Sequence, residues 1–422
     1  CECCEPPLPG WSESECAAGA EGFNGSGVSK QHLQCCYPVY ARKSAGPPDA
    51  RLEEAAGAHV AAASIDAGAV ATAGLSVQWR LERSFISRGC LISARGGGVT
   101  TCNETEACPT FDCSYMKAFR KVLMVISSVT GSLPDFDLIL NSGDVTLVGF
   151  EGVPVFTRVG TRWTNTIALP VEWQLHPAQC NRHVMDAMWA GSYVPWEKRE
   201  AKLVWRGTPS NCRTSRCRFT AAADDAAELE RCVRPPGDEV LSCEWNFTTW
   251  QQMPRGRLVW MGRFVPWIDA KFVRSTTRHE RRKLAPALQR FLTDEGMLVS
   301  ERMSVEDQGA YKYAIAVEGF AAADRVYWQL FTNSVVIIPD GPWQVFAVHA
   351  MLEPYVHYVP VRYDLVDLVE KVEWLRQHDE EAKQIARNAQ AFALRYLTCD
   401  SLVYFVDRLL RAYADRLGVS RP

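Results

Sequence analysis

The sequence lacks the features by which a chain enters a bilayer or binds a polyanion. It has no run of about 20 apolar residues, so we expect no transmembrane helix. Its formal net charge of −3 excludes the strongly basic surface that is typical of nucleic-acid-binding proteins. No internal repeat is visible, and the chain begins at Cys1 rather than at Met. Membrane association is therefore expected only through a signal or anchor upstream of Cys1.

Cysteine, by contrast, is abundant, with 16 residues that include groups at Cys1–Cys36 and Cys90–Cys113. A zinc cluster is one explanation, since the opening Cys-Glu-Cys-Cys offers a ligand pair, but no second pair of matching spacing follows. Three N-glycosylation triplets begin at Asn24, Asn103 and Asn246. Three triplets beside this many cysteines favour disulfides and the lumen of the secretory pathway, in the endoplasmic reticulum or Golgi.

The composition is otherwise that of a globular protein, 47% hydrophobic and 23% charged, and 422 residues suffice for two or three domains. Cys1–Tyr40 resembles a disulfide-stapled cap, and Ala45–Gly74 a partly helical linker. The predicted strands are Ser84–Ala94 (a strand or hairpin), Leu138–Leu140, Val153–Val159, Lys202–Trp205 and the aromatic stretch Glu239–Arg274. The predicted helices are Ser114–Val129, Ala221–Arg231, the basic stretch Arg278–Leu292, Pro342–Leu352, a helix capped by Asp364, Asp379–Leu397 and Ser401–Leu417. Alternating strands and helices of this length indicate an α/β fold with two Rossmann-like halves.

The stretch from Tyr311 to Pro360 is the most informative. Tyr313–Val317 predicts a buried strand, Asp324–Phe331 a helix, and Ser334–Ile338 the next strand. A strand, a glycine turn at Gly319, a helix and a strand form one half of a parallel sheet, whose ligands bind at the carboxyl ends of the strands.

The turn between this strand and this helix suits an anion. Gly319 and the small residues Ala321–Ala323 let a ligand approach the backbone closely. A helix N-terminus carries partial positive charge, and Arg325 in the first turn adds a fork of donors. Taken alone, the arginine could equally pair with an acid, and the glycine could merely turn the chain. A phosphate-bearing ligand is the hypothesis to test.

Four segments, in the same order along the chain, resemble one family. They are Gly131–Asp144, with its Leu-Pro-Asp strand; Trp205-Arg206-Gly207; Tyr311-Lys-Tyr with Gly319 and Arg325; and Leu352–Pro360, Leu-Glu-Pro-Tyr-Val-His-Tyr-Val-Pro. They are similar to segments of the protein O-glucosyltransferases and capsule-associated glycosyltransferases, glycosyltransferase family 90. The resemblance covers roughly Trp79–Leu417.

The resemblance implies a GT-B fold, in which two Rossmann-like domains face a cleft and the C-terminal one binds a nucleotide sugar. On this basis we expect four regions. They are a Cys-rich cap and linker over 1–75, an N-terminal domain with the catalytic base over 76–200, a nucleotide-sugar-binding domain over 201–398, and a C-terminal helix over 399–422 that packs back on the N-terminal domain.

The resemblance also implies an inverting transfer that uses no metal and no cofactor besides the UDP-sugar donor. A carboxylate must then take the proton of the acceptor hydroxyl as it attacks the anomeric carbon. Asp144 matches the family's catalytic aspartate. On local sequence alone, an aspartate beside Gly143 would be a turn former, and the match of the whole preceding segment favours the catalytic role.

Without a metal, the charge of the leaving diphosphate must be met by arginines and backbone N–H groups. Arg325 matches the family's diphosphate arginine. The other donor-binding residues implied are Arg206, Gly207, Thr208, Gly319, Ala321, Ala322 and Ala323. A further arginine follows the Arg-Gly turn in the family, and Arg216 is favoured over Arg213 and Arg218 for that role. Glu353 is a candidate acceptor for a ribose hydroxyl, and a structural role suits it equally.

Three features depart from this picture or compete with it. Asp324 stands where the family usually has a neutral or aromatic residue, and it either neutralises Arg325 or helps to cap the helix. Asp135-Phe-Asp137 has the spacing by which other glycosyltransferases hold manganese. Because the pair enters an apolar strand within the family's own signature, a structural role is favoured. The turn at 142–146 also differs from the family pattern, so the acceptor side is expected to differ.

The sequence thus predicts a lumenal enzyme that transfers glucose or xylose from a UDP-sugar. The acceptor is a hydroxyl on a secreted protein, such as a serine, or on a glycan. The two sugars differ by one hydroxymethyl group, and both stay open. The alternative is a catalytically degenerate family member that binds glycans or proteins in the lumen, against which the intact Asp144 and Arg325 argue.

Overall fold

The computed structural model describes residues 50–67, 69–70, 89–101, 114–141, 152–161, 165–175, 177–209, 245–248, 250–274, 284–319, 322–341, 343–346 and 351–418. Within these residues, strands and helices alternate, and the strands form two main sheets. The α/β class is therefore confirmed. The cap at Cys1–Tyr40, the predicted helix Ala221–Arg231 and the site residues Asp144, Arg216 and Ala321 lie outside the described residues.

The first sheet is mixed. Its strands are β1 (Gly89–Arg95), β2 (Gly98–Thr101), β3 (Phe136–Asn141), β4 (Val155–Thr157) and β6 (Thr166–Ala168), in the order β2-β1-β3-β4-β6. β1 runs antiparallel to β2 and β3, whereas β3, β4 and β6 are parallel. The helices of this region are α1 (Ala50–Ala61), α2 (Ser114–Thr130), α3 (Glu172–Leu175) and α4 (Pro177–Tyr193).

The second sheet is wholly parallel. Its strands are β7 (Glu200–Gly207), β8 (Ile268–Val273), β9 (Leu298–Val299), β10 (Tyr311–Ile315), β11 (Val335–Asp340) and β13 (Val359–Arg362). They lie in the order β13-β11-β10-β7-β8-β9. If these six strands are numbered 1 to 6 along the chain and the sheet is read from β9, the order is 3-2-1-4-5-6. This is the strand order of doubly wound nucleotide-binding sheets. The strand order reverses between β7 and β10.

Helices cover this sheet because its strands are apolar on both faces. The helices that contact its strands are α5 (Pro254–Phe264), α6 (Pro286–Asp294), α7 (Val305–Gln308), α8 (Arg325–Gln329), α9 (Leu368–Gln377) and α10 (Asp379–Tyr396). The last helix of the chain is α11 (Cys399–Leu417), and 3₁₀ turns lie at Trp196–Lys198, Trp250–Gln252 and Leu330–Thr332. In β10, every residue from Lys312 to Ile315 is buried, so no polar face remains for solvent. None of the described helices is long and apolar enough to cross a bilayer.

The C-terminal helix α11 packs against the first region of the chain. It lies along α1 and also contacts α2, α4 and β3. Thr398 caps its first turn by accepting a hydrogen bond from the Ser401 N–H. A disulfide between Cys180 in α4 and Cys399 joins two points that are 219 residues apart.

Arg199 holds the end of α4 against the loop before β11. The residue is 4% exposed, and its guanidinium donates hydrogen bonds to the carbonyls of Gly191, Val194, Thr332 and Asn333 at 2.5–3.1 Å. Burial lowers the pKa of this guanidinium to about 10, so it stays charged at neutral pH. Backbone dipoles therefore stabilise a buried cation where the first region passes into the second sheet.

The prediction of a helix over Pro342–Leu352 is wrong for the residues 343–345. Trp343–Val345 forms a strand, β12, that pairs antiparallel with β5 (Val159–Thr161). The side chains of Trp343 and Val345 are buried whereas Gln344 is exposed, which is the alternation of a strand. A short apolar run is ambiguous in sequence, and here a partner far away in the chain decides its conformation.

Two other boundaries differ from the expectation. The stretch Glu239–Arg274 contains a helix, α5, whose Pro254 occupies the first turn where proline is well tolerated, and only Ile268–Val273 within it is a described strand. Helix α9 begins at Leu368 after Asp367, and Asp364 does not cap it. The Asp364 carboxylate instead accepts hydrogen bonds from the Arg362 side chain and the Val366 N–H.

Candidate functional site

The predicted donor-binding residues that the structure describes lie at the carboxyl ends of β7 and β10. Arg206 and Gly207 end β7, and Gly319 follows β10 by four residues. The two strands are parallel neighbours, so both turns leave the sheet at the same edge. Ligands of open α/β sheets bind in the crevice at the point where the strand order reverses, which is where these turns lie.

The position of the Trp205 side chain explains why residue 207 is a glycine. Its indole is fully buried and lies over the α-carbon of Gly207, because the two residues share one face of the strand. A Cβ built at Gly207 would come within 2.5 Å of the indole Cζ2. Any larger residue at position 207 would therefore displace the indole.

Two guanidinium groups contact this one indole. The Cζ atoms of Arg255 and Arg325 lie 5.7 Å and 5.5 Å from a ring centroid of Trp205, within cation–π range. The Arg325 Nη1 also donates to the Arg206 carbonyl oxygen at 2.8 Å. The indole and a β7 carbonyl thus orient Arg325, although it belongs to the turn after β10.

Arg255 joins the two turns directly. Its Nε donates to the carbonyl oxygen of Glu318 at 2.8 Å, and its Nη1 donates to that of Thr208 at 3.0 Å. Arg255 is 8% exposed and stands at the start of α5. The sequence analysis did not identify Arg255 as a site residue. The residues around Arg255 do not indicate that it contacts Thr208 and Glu318, which are far away in the chain.

The Arg206 side chain points to the opposite face of the strand. Its Nη2 forms an ion pair with Asp269 Oδ2 at 2.9 Å, and Tyr311 donates its hydroxyl to the same oxygen at 2.9 Å. Burial alone would raise the pKa of the Asp269 carboxyl, but the hydrogen bond and charge of Arg206 hold it below its ordinary value. The Arg206 guanidinium therefore binds Asp269 on the face of the sheet opposite Arg325. Only the backbone of Arg206 contacts the crevice, where its carbonyl accepts from Arg325.

Asp324 does not cap α8 with its side chain, and it lies exposed beside Arg325. Burial lowers the pKa of the Arg325 guanidinium, and the Asp324 charge partly opposes that effect. An arginine remains charged at neutral pH under such a shift. Apart from its bond to the Arg206 carbonyl, Arg325 makes no other hydrogen bond or ion pair to a described residue, so its remaining N–H groups are available to a ligand.

The helix after the glycine turn is shorter than predicted. α8 spans Arg325–Gln329, continues as the 3₁₀ turn Leu330–Thr332, and stops at Asn333 in the left-handed region with φ 52°. A helix of this length contributes little macrodipole, so the charge at this turn comes mainly from Arg325. Ala322 and Ala323 are half-buried just before it.

Comparisons with known proteins identify similar sequences. A sequence profile described as Glycosyl transferase family 90 matches residues 260–421, which include β10 and Arg325. Over 122 residues, Protein O-glucosyltransferase 2 of Danio rerio is 41% identical, covering 29% of this chain and 24% of that protein. The resemblance to glycosyltransferase family 90 is therefore confirmed over this C-terminal part of the chain.

Two other similar proteins match longer stretches of this chain. Protein O-glucosyltransferase 1 of Rattus norvegicus is 23% identical over 323 residues, which cover 73% of this chain and 69% of that protein. Uncharacterized protein 179R of Invertebrate iridescent virus 6 is 28% identical over 271 residues, or 62% of this chain and 20% of that protein. The chain thus spans about a fifth to a quarter of two of the relatives named here, protein 179R and the Danio rerio protein.

The Asp135 and Asp137 carboxylates bind to groups of the first sheet. Asp135 Oδ1 accepts from the Gly96 N–H at 3.0 Å, and Asp137 forms an ion pair with Arg95. Both partners belong to the β1–β2 hairpin. Among the described residues, no group of three or more His, Cys, Asp or Glu side chains is arranged to hold a metal ion.

Glu353 is also engaged elsewhere. Its Oε1 accepts a hydrogen bond from Arg51 at 2.7 Å, and its side chain is 57% exposed. A different carboxylate lies near the crevice: Glu318, which directly precedes Gly319 and is 5% exposed. Its position between a buried strand and a glycine turn was visible in the sequence, but nothing there showed that its side chain turns inward.

Proposed function

We propose that this chain is an inverting glycosyltransferase of the GT-B fold that moves glucose or xylose from a UDP-sugar to a hydroxyl group. The acceptor is a serine of a secretory-pathway protein or a glycan. The observation that carries the proposal is the placement of Arg325. Its half-buried guanidinium rests on Trp205 at the switch point of a nucleotide-binding sheet, with N–H groups available to an anion. Relatives named protein O-glucosyltransferases support the choice of reaction.

In this proposal Arg325 receives the diphosphate of the donor. Its charge-assisted hydrogen bonds meet the negative charge that grows on the leaving phosphate. Backbone N–H groups of Gly319, Ala321, Ala322 and Ala323 would supply further donors to the diphosphate. The opposite side consists of Gly207 and Thr208, with the Arg206 carbonyl orienting Arg325. Arg216 adds a second cation.

Asp144 then acts as the general base. In the sequence it stands three residues after Asn141, the last residue of β3. The acceptor oxygen attacks the anomeric carbon from the face opposite the diphosphate and passes its proton to the Asp144 carboxylate. The bond between the anomeric carbon and the phosphate oxygen breaks, and UDP leaves with the electron pair. One displacement inverts the anomeric configuration.

The transfer is proposed to need no metal ion. Arg325 supplies a positive charge at the crevice, which is the role that a divalent cation would otherwise have. The one acidic pair with the spacing of a metal site is engaged by the β1–β2 hairpin. No cofactor besides the UDP-sugar is therefore included.

The proposed location is the lumen of the endoplasmic reticulum or Golgi. The disulfide Cys180–Cys399 fits an oxidising compartment, where such bonds persist. Asn246 of the Asn-Phe-Thr triplet lies in a surface turn whose Thr248 N–H donates to the Asn246 side chain at 2.9 Å. Both features favour a secreted environment.

The test is a donor and acceptor screen with purified protein. UDP release is measured with UDP-glucose and UDP-xylose in the presence of folded secreted domains or glycans, and mass analysis identifies the modified acceptor. The control is Arg263→Ala, which removes an exposed arginine near the end of α5 that pairs with Glu295. Transfer by the wild type and the control, but not by Arg325→Ala, is expected. Binding of UDP without transfer to any acceptor would instead favour the degenerate, ligand-binding member of the family.

A further inference from the structure

A short ribbon of two strands joins the two main sheets. β5 (Val159–Thr161) and β12 (Trp343–Val345) pair antiparallel and form a sheet of their own, called the β5–β12 ribbon below. β5 begins two residues after the end of β4 in the first sheet, and β12 begins three residues after the end of β11 in the second. Because each strand of the ribbon continues a strand of a different sheet, the pairing connects the two sheets directly.

The ribbon starts at the two sheet edges that carry the proposed site. β3 and β4 are parallel neighbours, with Leu140 opposite Phe156. The chain therefore leaves β4 for the ribbon at the same edge at which it leaves β3 for Asp144. β10 and β11 are parallel neighbours as well, so the chain leaves β11 for the ribbon at the edge where the turn with Arg325 follows β10. The ribbon thus links the edge that precedes the proposed base with the edge that holds the proposed diphosphate arginine.

β5 is held against the first sheet by two close contacts. Thr157, the last residue of β4, is fully buried, and its hydroxyl donates to the Val159 carbonyl oxygen at 3.1 Å across the bend at Arg158. Gly160 lies against Thr166 of β6, and a Cβ built at Gly160 would come within 2.1 Å of the Thr166 Oγ1. The lack of a side chain at residue 160 therefore lets β5 lie this close to the first sheet.

β12 is held just as closely on the side of the donor site. Phe346 directly follows β12 and is fully buried, and its carbonyl oxygen accepts a hydrogen bond from the Tyr327 hydroxyl at 2.7 Å. Tyr327 belongs to α8, two residues after Arg325. The Phe346 ring centroid lies 4.3 Å from that of Phe405 in α11, the helix that packs against the first region. Both strands of the ribbon are therefore fixed by buried groups.

We propose that the β5–β12 ribbon positions the edge of the first sheet that precedes the base relative to the donor site, and that Gly160 is a positioning residue for transfer. The inference rests on the proposed function. In a single displacement the acceptor oxygen, held by the base, must lie within attack distance of the anomeric carbon, and a misplacement of about 1 Å can lower the rate about a hundredfold. UDP binding, by contrast, is assigned to turns of the second sheet. Displacing the ribbon should therefore lower turnover without weakening UDP binding.

The test compares Gly160→Ala with the control Gln344→Ala. The new methyl group pushes β5 away from Thr166, whereas the Gln344 side chain in β12 is exposed. Isothermal titration gives the UDP dissociation constant, and UDP release from UDP-glucose or UDP-xylose, with the acceptor identified in the screen, gives kcat. Gly160→Ala should lower kcat by about tenfold to a hundredfold and change the UDP dissociation constant by less than about threefold. Gln344→Ala should leave both constants within about twofold of the wild type.

Two further variants separate positioning from a general loss of structure. Thr166→Ala removes the hydroxyl that the new methyl group meets, so the double variant Gly160→Ala/Thr166→Ala should recover part of the lost kcat. Tyr327→Phe keeps the ring, removes the hydrogen bond to the Phe346 carbonyl, and should lower kcat by a smaller factor at unchanged UDP affinity. Circular dichroism checks the fold, and Tyr327→Phe decides by the same criteria if Gly160→Ala does not fold.

The outcomes distinguish this inference from the function on which it rests. Unchanged kcat in Gly160→Ala, an equal loss of UDP affinity, or no recovery in the double variant overturns the role of the ribbon alone. Unchanged UDP binding in Arg325→Ala, or no UDP release by the wild type, overturns the proposed function and this inference with it.

Discussion

Replacing Arg325 by alanine tests the donor site most directly. The guanidinium uses one N–H for the Arg206 carbonyl and rests on Trp205, and its other N–H groups are available to a ligand. A hydrogen bond to a charged partner is worth about 1.5–3 kcal/mol. One such bond to the diphosphate predicts that Arg325→Ala weakens UDP binding by about tenfold to a hundredfold. A bidentate contact places the result at the upper end of this range.

Arg325→Lys refines the same prediction. Lysine keeps the charge but lacks the planar fork and the flat surface that lies on the Trp205 indole. Its UDP affinity should fall between those of the wild type and the alanine variant. If lysine restores full affinity, the arginine acts as a point charge, and its contacts with Trp205 and the Arg206 carbonyl do not matter for binding.

The matched control is Arg206→Met, one strand position from Trp205. The Arg206 guanidinium pairs with Asp269 on the far face, where the two side chains are 10% and 22% exposed. Its loss should lower the free energy of unfolding by roughly 1–3 kcal/mol, and it should change the UDP dissociation constant by less than about threefold. Isothermal titration measures affinity, and urea denaturation measures stability. An unchanged UDP dissociation constant in Arg325→Ala, with a folded protein, would refute the assignment.

Three other expectations concern separate parts of the molecule. Asp144→Asn should lower turnover by about 10²–10⁴ in a steady-state assay of UDP release while UDP binding stays within about twofold, and retention of half the activity contradicts its role as base. Incubation with EDTA should leave turnover within about twofold, equivalent to roughly 0.4 kcal/mol of barrier; a loss that manganese restores would point to Asp135 and Asp137. Arg199→Met should destabilise the fold by roughly 3 kcal/mol or more in urea denaturation, because it leaves several buried carbonyls without a donor. Lys202→Met, at an exposed pair with Glu200, is its control and should change stability by less than about 0.5 kcal/mol.

Sequence reasoning predicted the centre of the second sheet well because that information is local. An apolar run, a glycine turn, a short helix and a second apolar run between Tyr311 and Ile338 each have a clear signature. The structure has β10, α8 and β11 in this order. Each end of these elements differs from the predicted end by one or two residues. The parallel pairing and the ligand edge then follow from general rules for α/β sheets.

The errors share a cause, which is dependence on partners far away in the chain. β12 is a strand because β5 lies beside it, and that pairing joins residues nearly two hundred positions apart. Arg255 contacts Thr208 and the Glu318 carbonyl, and neither contact leaves a trace in the residues around it. Asp269 could not be identified as the partner of Arg206 until β7 and β8 were known to be neighbours.

The Trp-Arg-Gly turn shows how side-chain alternation divides the roles within a motif. Because successive residues of β7 point to opposite faces, Trp205 and Gly207 share the face with Arg325 and Arg255, while Arg206 faces Asp269. The motif therefore contributes an indole surface, a space that only glycine leaves open, and a carbonyl that accepts from Arg325. The charge of the motif's own arginine stabilises the sheet. We therefore expect replacement of Arg206 to affect ligand binding at the crevice less than replacement of Trp205 or Gly207. This is so although the arginine is the one charged residue of the three.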